Sequence, residues 1–132
     1  MFPGAPRSDI SSIKSQHTNV KVALSLGGDV VSGAPVYFDL SNIDTSDPNI
    51  FSRCIGELIT TLKNNRVISF ASIAPFYTGD VQRNYMALWR DYGSVIDYVN
   101  FQFYAYPSST TVSQFENYFN EQASNYGVGK CS

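Results

Sequence analysis

Side chains that transfer protons or hold metal ions are few in this sequence. Its 132 residues contain one histidine, two cysteines and 11 acidic residues, and the net charge is −2. His17 alone cannot build a histidine-based metal site, and at a helix end it is best explained as a surface residue that suits the helix dipole. Cys54 falls on a helical pattern and Cys131 is the next-to-last residue. A disulfide bond between them is neither predicted nor excluded by the sequence. The sequence therefore predicts no metal site and no cofactor.

Two glycines follow an apolar stretch near the N-terminal end, residues 20–29 with the sequence VKVALSLGGD. Its nearly continuous apolar run is typical of a strand buried on both faces, as in a parallel sheet covered by helices. Glycines at such a strand end allow a sharp turn or a close approach of the backbone to a ligand. Gly27 and Gly28 are therefore candidate binding residues, with an ordinary turn as the alternative.

Helical and strand patterns alternate along the whole chain. Asp47-Pro48 is typical of an N-cap followed by proline in the first helical turn, and Thr111 with Gln114 has the spacing of a capping box. Residues 29–46 are expected to form a loop. The sequence predicts a single α/β domain spanning residues 1–132, with strands at 22–26, 67–75 and 95–106 and helices at about 9–17, 48–63, 80–92 and 111–126.

Three of these segments resemble glycoside hydrolase family 18, the chitinase family. Ser25-Leu26-Gly27-Gly28 is similar to the S-x-G-G motif of the third barrel strand, and residues 67–75 resemble the fifth strand. Residues 95–104 resemble the sixth strand, with the Q-F-Y ending of plant chitinase-like proteins of the narbonin and bulb-chitinase type. Because eight β/α units take ~250 residues, the resemblance implies an incomplete (β/α)8 TIM barrel with about three parallel strands and flanking helices.

The resemblance also implies a substrate-binding set, Gly27, Gly28, Gln102 and Tyr104. In the family, the residues matching Gln102 and Tyr104 contact the sugar and its N-acetyl carbonyl. Alternation along an extended strand would point Gln102, Tyr104 and Tyr106 into the barrel, and the phenylalanines between them toward the helices. Plain packing is the alternative role for these side chains.

The catalytic motif of the family, D-x-x-D-x-D-x-E at the end of strand four, is absent from the sequence. In the family its glutamate is the general acid, and the N-acetyl group of the substrate is the nucleophile. Asp44 and Asp47 have the spacing of its first half, but the later acidic positions fall on Asn49 and Phe51, and phenylalanine cannot donate a proton. About one β/α unit, roughly 30 residues, is expected to be missing here. Asp29 is the nearest candidate to replace the missing general acid, but nothing in the sequence pairs it with a second acid. No catalytic residue is therefore assigned.

The sequence therefore predicts a chitinase-like protein that lacks catalysis and binds N-acetylglucosamine oligosaccharides weakly. The alternatives are an active chitinase hydrolysing β-1,4-N-acetylglucosamine linkages and a truncated product without function. Nucleic acid is not an expected partner, because the chain lacks a cluster of basic residues. Membranes are not expected partners either, because the chain lacks ~18 consecutive apolar residues. Open sheet edges, in contrast, predict self-association. The first residues do not resemble a secretory signal, which predicts a cytoplasmic protein unless the N-terminus is incomplete.

Overall fold

The computed structural model describes residues 12–13, 15–17, 19, 29–31, 34–36 and 46–127. The chain divides into two compact units, Met1–Asp39 and Leu40–Ser132. In the first unit, β1 (Asp29–Val31) pairs antiparallel with β2 (Ala34–Val36). The loop predicted for residues 29–46 therefore contains a short hairpin, as the β-branched valines of both strands favour. The predicted strand 22–26 lies outside the described residues.

The second unit alternates helices with short strands. Its elements are α1 (Pro48–Asn64), β3 (Ser72–Ile73), α2 (Gly79–Tyr92), β4 (Tyr98–Val99) and α3 (Val112–Tyr126). Short 3-10 turns at Gly93–Val95 and Phe103–Ala105 flank β4. Within the described part of the chain, no helix combines the length and the apolar composition that a membrane span requires.

The helix caps predicted at Asp47 and Thr111 are confirmed, whereas α2 begins after Thr78 without a side-chain cap, although its sequence would also allow Asp80 as the N-cap. The Asp47 side chain accepts a hydrogen bond of 2.8 Å from the backbone N–H of Asn49 at the start of α1. Thr111 and Gln114 form a reciprocal capping box at the start of α3. Gly127 follows the last helix with φ of 85°, a conformation that glycine adopts without steric strain.

β3 and β4 lie side by side and run parallel, with Ser72 opposite Tyr98 and Ile73 opposite Val99. Backbone hydrogen bonds continue the pairing, from Asn100 N–H to Ile73 O at 2.8 Å and from Gln102 N–H to Pro75 O at 3.0 Å. The strands predicted at 67–75 and 95–106 are therefore neighbours, although both are shorter than predicted.

The core lies between this strand pair and the helices. Ile73, Val99 and Phe101 from the strands and the turn that follows pack with Leu88 and Tyr126 from the helices. A second contact joins α1 to α2 through small residues. Ser52 and Gly56 are the buried residues of α1, and the ring of Tyr92 lies directly over Gly56. Larger apolar side chains of α1, Phe51, Ile55 and Ile59, are only partly buried against the core, because the closest approach of α1 to α2 uses the small residues.

Candidate functional site

The two faces of the strand pair have different surroundings. Ala71, Ile73, Val99 and Phe101 point into the core, whereas the residues alternating with them are open to solvent, namely Ser72, Ala74, Tyr98 and Asn100. The burial of Phe101 agrees with the prediction that the phenylalanine side of this segment faces the helices. The open face carries hydrogen-bonding groups, and in a closed barrel it would point to the interior.

Gln102 and Tyr104 lie together where β4 ends. The Tyr104 hydroxyl donates a hydrogen bond of 2.9 Å to Gln102 Oε1, and Gln102 Nε2 donates one of 2.7 Å to the backbone oxygen of Ala74. These two bonds fix the orientation of the Gln102 amide. The Tyr104 side chain is 83% exposed, so its ring is accessible to a ligand.

Tyr106 does not share this surface, contrary to the predicted alternation. The Phe103–Ala105 turn replaces the extended strand on which that prediction relied. Tyr106 instead stacks on Tyr77 at 4.5 Å and on Tyr118 at 4.3 Å between ring centroids. Partial burial, with a smaller effect from the Glu121 carboxylate, raises the pKa of the Tyr106 hydroxyl.

The stacked tyrosines line a shallow cavity of about 270 Å³ together with Gln82, Glu121 and Gln122. Sequence reasoning did not select Tyr77 or Tyr118 as site residues. Tyr77 follows the predicted strand at 67–75, and Tyr118 falls within the predicted helix at about 111–126. The signal that could have identified Tyr77 is its position just after β3, at the same end of the strand pair as Gln102.

The carboxylates near the sheet have structural partners. Asp97 begins the segment leading into β4, at the end opposite Gln102, where its Oδ2 lies 2.5 Å from Lys63 Nζ and 2.8 Å from the backbone nitrogen of Ala71. On α2, hydrogen bonds from Arg90 and, secondarily, from Ser52 lower the pKa of the Asp91 carboxyl. Among the described residues, no three His, Cys, Asp or Glu side chains converge as metal ligands.

The residues that have the spacing of the catalytic motif lie at the start of α1, where they cap the helix or contact α2. Asp47 is the N-cap, Asn49 Oδ1 accepts a hydrogen bond of 3.2 Å from Arg90 Nη2, and Phe51 packs edge-on against Tyr85 at 5.6 Å. The interpretation of Asp47 as a helix start is therefore confirmed. Asp44 lies outside the described residues.

The remaining candidates belong to the first unit. Gly27 and Gly28 lie outside the described residues. Asp29 forms the first residue of β1, opposite Val36. The binding role implied for the two glycines stays a prediction.

No family model matches the sequence. Chitinase 1 of Tulipa saxatilis subsp. bakeri is 46% identical over 152 residues, which include 93% of this chain and 48% of the tulip protein. A family 18 chitinase from Crocus vernus superposes with a TM-score of 0.75 at 41% identity, covering 94% of this chain and 55% of the crocus chain. The catalytic domain of a GH18 chitinase from the fern Peteris ryukyuensis gives a TM-score of 0.71 at 41% identity, covering 94% of this chain and 56% of the fern chain.

The chain thus spans about half the length of the relatives that it matches. Its parallel strand pair with flanking helices agrees with a fragment of their barrel fold. The sequence identity and the superposition together show that the chain is similar to plant chitinases of glycoside hydrolase family 18 over about half of their length.

Proposed function

We propose that this chain is a non-catalytic chitinase-like protein that binds N-acetylglucosamine oligosaccharides weakly through Gln102 and Tyr104. The observation that carries the proposal is the exposed Tyr104 ring, joined by its hydroxyl to an amide that is itself fixed on the backbone. An aromatic face and oriented polar groups are the combination that a sugar ring requires, since one side of the sugar is apolar and its rim is hydroxylated.

The orientation of the Gln102 amide determines which hydrogen bonds remain for a ligand. Its Oε1 accepts from Tyr104, and its Nε2 uses one hydrogen on Ala74 O. One Nε2 hydrogen and the lone pairs of the Tyr104 hydroxyl stay available for an acceptor and a donor of the ligand. Because both side chains are already held in place, binding loses less conformational entropy than it would with free side chains. Gly27 and Gly28, the other two residues of the implied substrate-binding set, stay proposed binding residues on the family resemblance alone.

Loss of catalysis is the second part of the proposal. Its support is the absence of D-x-x-D-x-D-x-E from the sequence. The alignment with the tulip chitinase also supports the loss of this segment. It extends over 152 positions but contains only 93% of the 132 residues of this chain, or about 123, so about 29 aligned positions have no counterpart here. This excess matches roughly one β/α unit of a barrel, about 30 residues. The position spaced like the general acid is Phe51, a side chain without an exchangeable proton.

Self-association belongs to the same proposal. In a parallel strand, every second residue forms its backbone hydrogen bonds with the same neighbouring strand. Because the residues on either side of Val99 bond to β3, the backbone groups of Val99 point to the opposite edge of β4. An edge of this kind can pair with another strand. Sedimentation at increasing protein concentration tests this part, and a strictly monomeric chain would contradict it.

Calorimetric titration with an N-acetylglucosamine tetramer tests the binding site. Tyr104→Ala should weaken binding at least several-fold, and Tyr104→Phe should weaken it less, because the ring stays and only the hydroxyl is lost. Tyr98→Ala is the matched control, an exposed tyrosine of the same open face whose ring contacts Phe70. Equal affinities for the Tyr104→Ala and Tyr98→Ala variants would refute the assignment.

The same samples distinguish the two alternatives. Release of new reducing ends, abolished by Asp29→Ala, would identify an active chitinase and overturn the non-catalytic proposal. A chain with neither binding nor a cooperative thermal transition would be a truncated product without function.

A further inference from the structure

The stacked tyrosines line a cavity that the proposed oligosaccharide site does not use. It is formed by residues of α2, of α3 and of the segments after β3 and β4, and none of these residues belongs to the open face of the strand pair. Its volume is about 270 Å³. Because sites for drug-sized ligands have ~300–1,000 Å³, this cavity suits a small molecule. It is here named the tyrosine cavity, and its aromatic and polar lining consists of Tyr77, Gln82, Tyr106, Tyr118, Glu121 and Gln122.

Gln122 is the buried polar residue of this lining. It is only 1% exposed, and its Oε1 accepts hydrogen bonds from Gln82 Nε2 at 3.3 Å and from Asn125 Nδ2 at 3.2 Å. These two bonds fix the orientation of the amide. Its own Nε2 donates no hydrogen bond to any residue that the structure describes. Because a buried donor without a partner is costly, an acceptor oxygen of a ligand in the cavity would be bound favourably at this nitrogen.

The charges around the tyrosine cavity favour a cation. Its lining contains the Glu121 carboxylate and no lysine, arginine or histidine. Within the described ranges, Glu121 forms none of the ion pairs. Burial raises the pKa of the Tyr106 hydroxyl, and repulsion from Glu121, Tyr118 and Tyr77 adds to this effect. The same groups that oppose a negative charge at this hydroxyl would attract a positive one.

The three tyrosine rings give the cavity an aromatic wall. The Tyr106 ring lies between the other two, nearly parallel to both, with interplanar angles of 14° to Tyr77 and 7° to Tyr118. Each ring therefore limits the movement of its neighbour, and the wall is already in place before a ligand arrives. Tyr77 is 40% exposed, so part of this wall is accessible. Aromatic surfaces attract both the ring of a ligand and an ammonium group beside it.

We propose that the tyrosine cavity binds a small phenolic amine, whose ring packs against the tyrosines, whose hydroxyl oxygen accepts from Gln122 Nε2 and whose ammonium group pairs with Glu121. An amine without a hydroxyl would leave the buried Gln122 donor unsatisfied, and a neutral phenol would leave the carboxylate without a cation. The proposal does not depend on oligosaccharide binding, because the tyrosine cavity shares no residue with the Gln102 and Tyr104 site.

Calorimetric titration with three related molecules tests which groups are recognised. Tyramine has both the hydroxyl and the amine, p-ethylphenol lacks the amine, and phenethylamine lacks the hydroxyl. We expect tyramine to bind ~2- to 5-fold more tightly than p-ethylphenol, the range of a solvent-accessible ion pair. Phenethylamine should also bind more weakly than tyramine, because the Gln122 donor then stays unpaired. Equal affinities for tyramine and p-ethylphenol would overturn the proposal, and so would tighter binding of glucosamine, which would assign the cavity to amino sugars.

Substitution of Glu121 tests where the amine binds. Glu121→Gln should weaken tyramine binding ~2- to 5-fold and leave p-ethylphenol binding unchanged. Glu116→Gln is the matched control, an exposed glutamate of the same helix that lines a different cavity, and it should bind tyramine as the parent protein does. Both glutamates are exposed, so both variants should keep the melting transition of the parent protein.

The two sites are distinguished with the same ligands. The Tyr104→Ala variant should bind tyramine as the parent protein does, and the Glu121→Gln variant should bind the N-acetylglucosamine tetramer as the parent protein does. A tyramine affinity that is unchanged by Glu121→Gln, or that falls equally with Glu116→Gln, would overturn the proposal. Absence of tyramine binding to the parent protein would overturn it as well, without affecting the oligosaccharide site.

Discussion

Replacing Gly56 with alanine tests how α1 packs on α2. A Cβ at this position would lie 2.2 Å from two carbons of the Tyr92 ring, whereas ordinary contacts begin at 3.4 Å. The ring would have to withdraw by about 1.2 Å, the difference between these distances. Tyr92 packs against the hydrophobic core, so it cannot move away without disturbing other contacts.

The magnitude follows from two opposing effects. Forcing extra volume into a packed contact costs typically ~1–3 kcal/mol, and an overlap this deep belongs at the upper end. Alanine is the better helix former by ~1 kcal/mol, which offsets part of the loss. The net destabilisation should be about 2 kcal/mol, and for a domain of fewer than about 100 residues each kcal/mol lowers Tm by ~4–8 °C.

Thermal and urea unfolding followed by circular dichroism measure this effect. Gly79→Ala is the matched control, because a Cβ on Gly79, the first residue of α2, would meet nothing within 4 Å. That variant should be as stable as the parent protein or slightly more so. A Gly56→Ala protein that melts with the Gly79→Ala protein, or above it, would refute the packing described for Tyr92.

Two electrostatic predictions follow from the same unit. Asp97→Ala removes the partner of Lys63 and the acceptor of a backbone N–H, and should lower the free energy of unfolding in urea by ~1–3 kcal/mol. The control Asp80→Ala, which breaks only an exposed ion pair, should change it by less than ~1 kcal/mol. Equal effects of the two substitutions would contradict the structural role of Asp97. The Asp91 carboxyl, whose pKa is lowered chiefly by Arg90, stabilises the fold above its unfolded pKa, and this contribution is lost as pH falls through the lower folded value. Asp91→Asn should therefore flatten the decline of Tm with acidification below about pH 4, and an unchanged acid profile would contradict the role given to this carboxyl.

Local signals in the sequence predicted local structure well. The N-cap at Asp47 and the capping box at Thr111 are each set by side chains within a few residues. The neighbouring parallel strands were predicted from apolar runs and from the family resemblance. Both kinds of signal are contained in short segments.

The missed features depend on contacts between distant segments. The predicted strand 95–106 assumed extended backbone up to Tyr106, but the Phe103 N–H donates to Phe101 O at 2.8 Å and the chain turns. The Tyr106 ring then meets Tyr118 from a later helix, which alternation along one strand cannot predict. Likewise, α1 approaches α2 most closely at Gly56, where Tyr92 fills the space above the glycine, and the helical pattern of α1 does not by itself identify this contact.

One NMR experiment tests both the binding of N-acetylglucosamine oligosaccharides and the absence of their hydrolysis. Proton spectra of an N-acetylglucosamine tetramer are recorded with the protein immediately and after prolonged incubation. We expect broadened N-acetyl methyl signals that sharpen when the Tyr104→Ala variant replaces the parent protein, with no new reducing-end signals at any time. New reducing ends would contradict the loss of catalysis, and unbroadened methyl signals at high protein concentration would contradict the binding site at Gln102 and Tyr104.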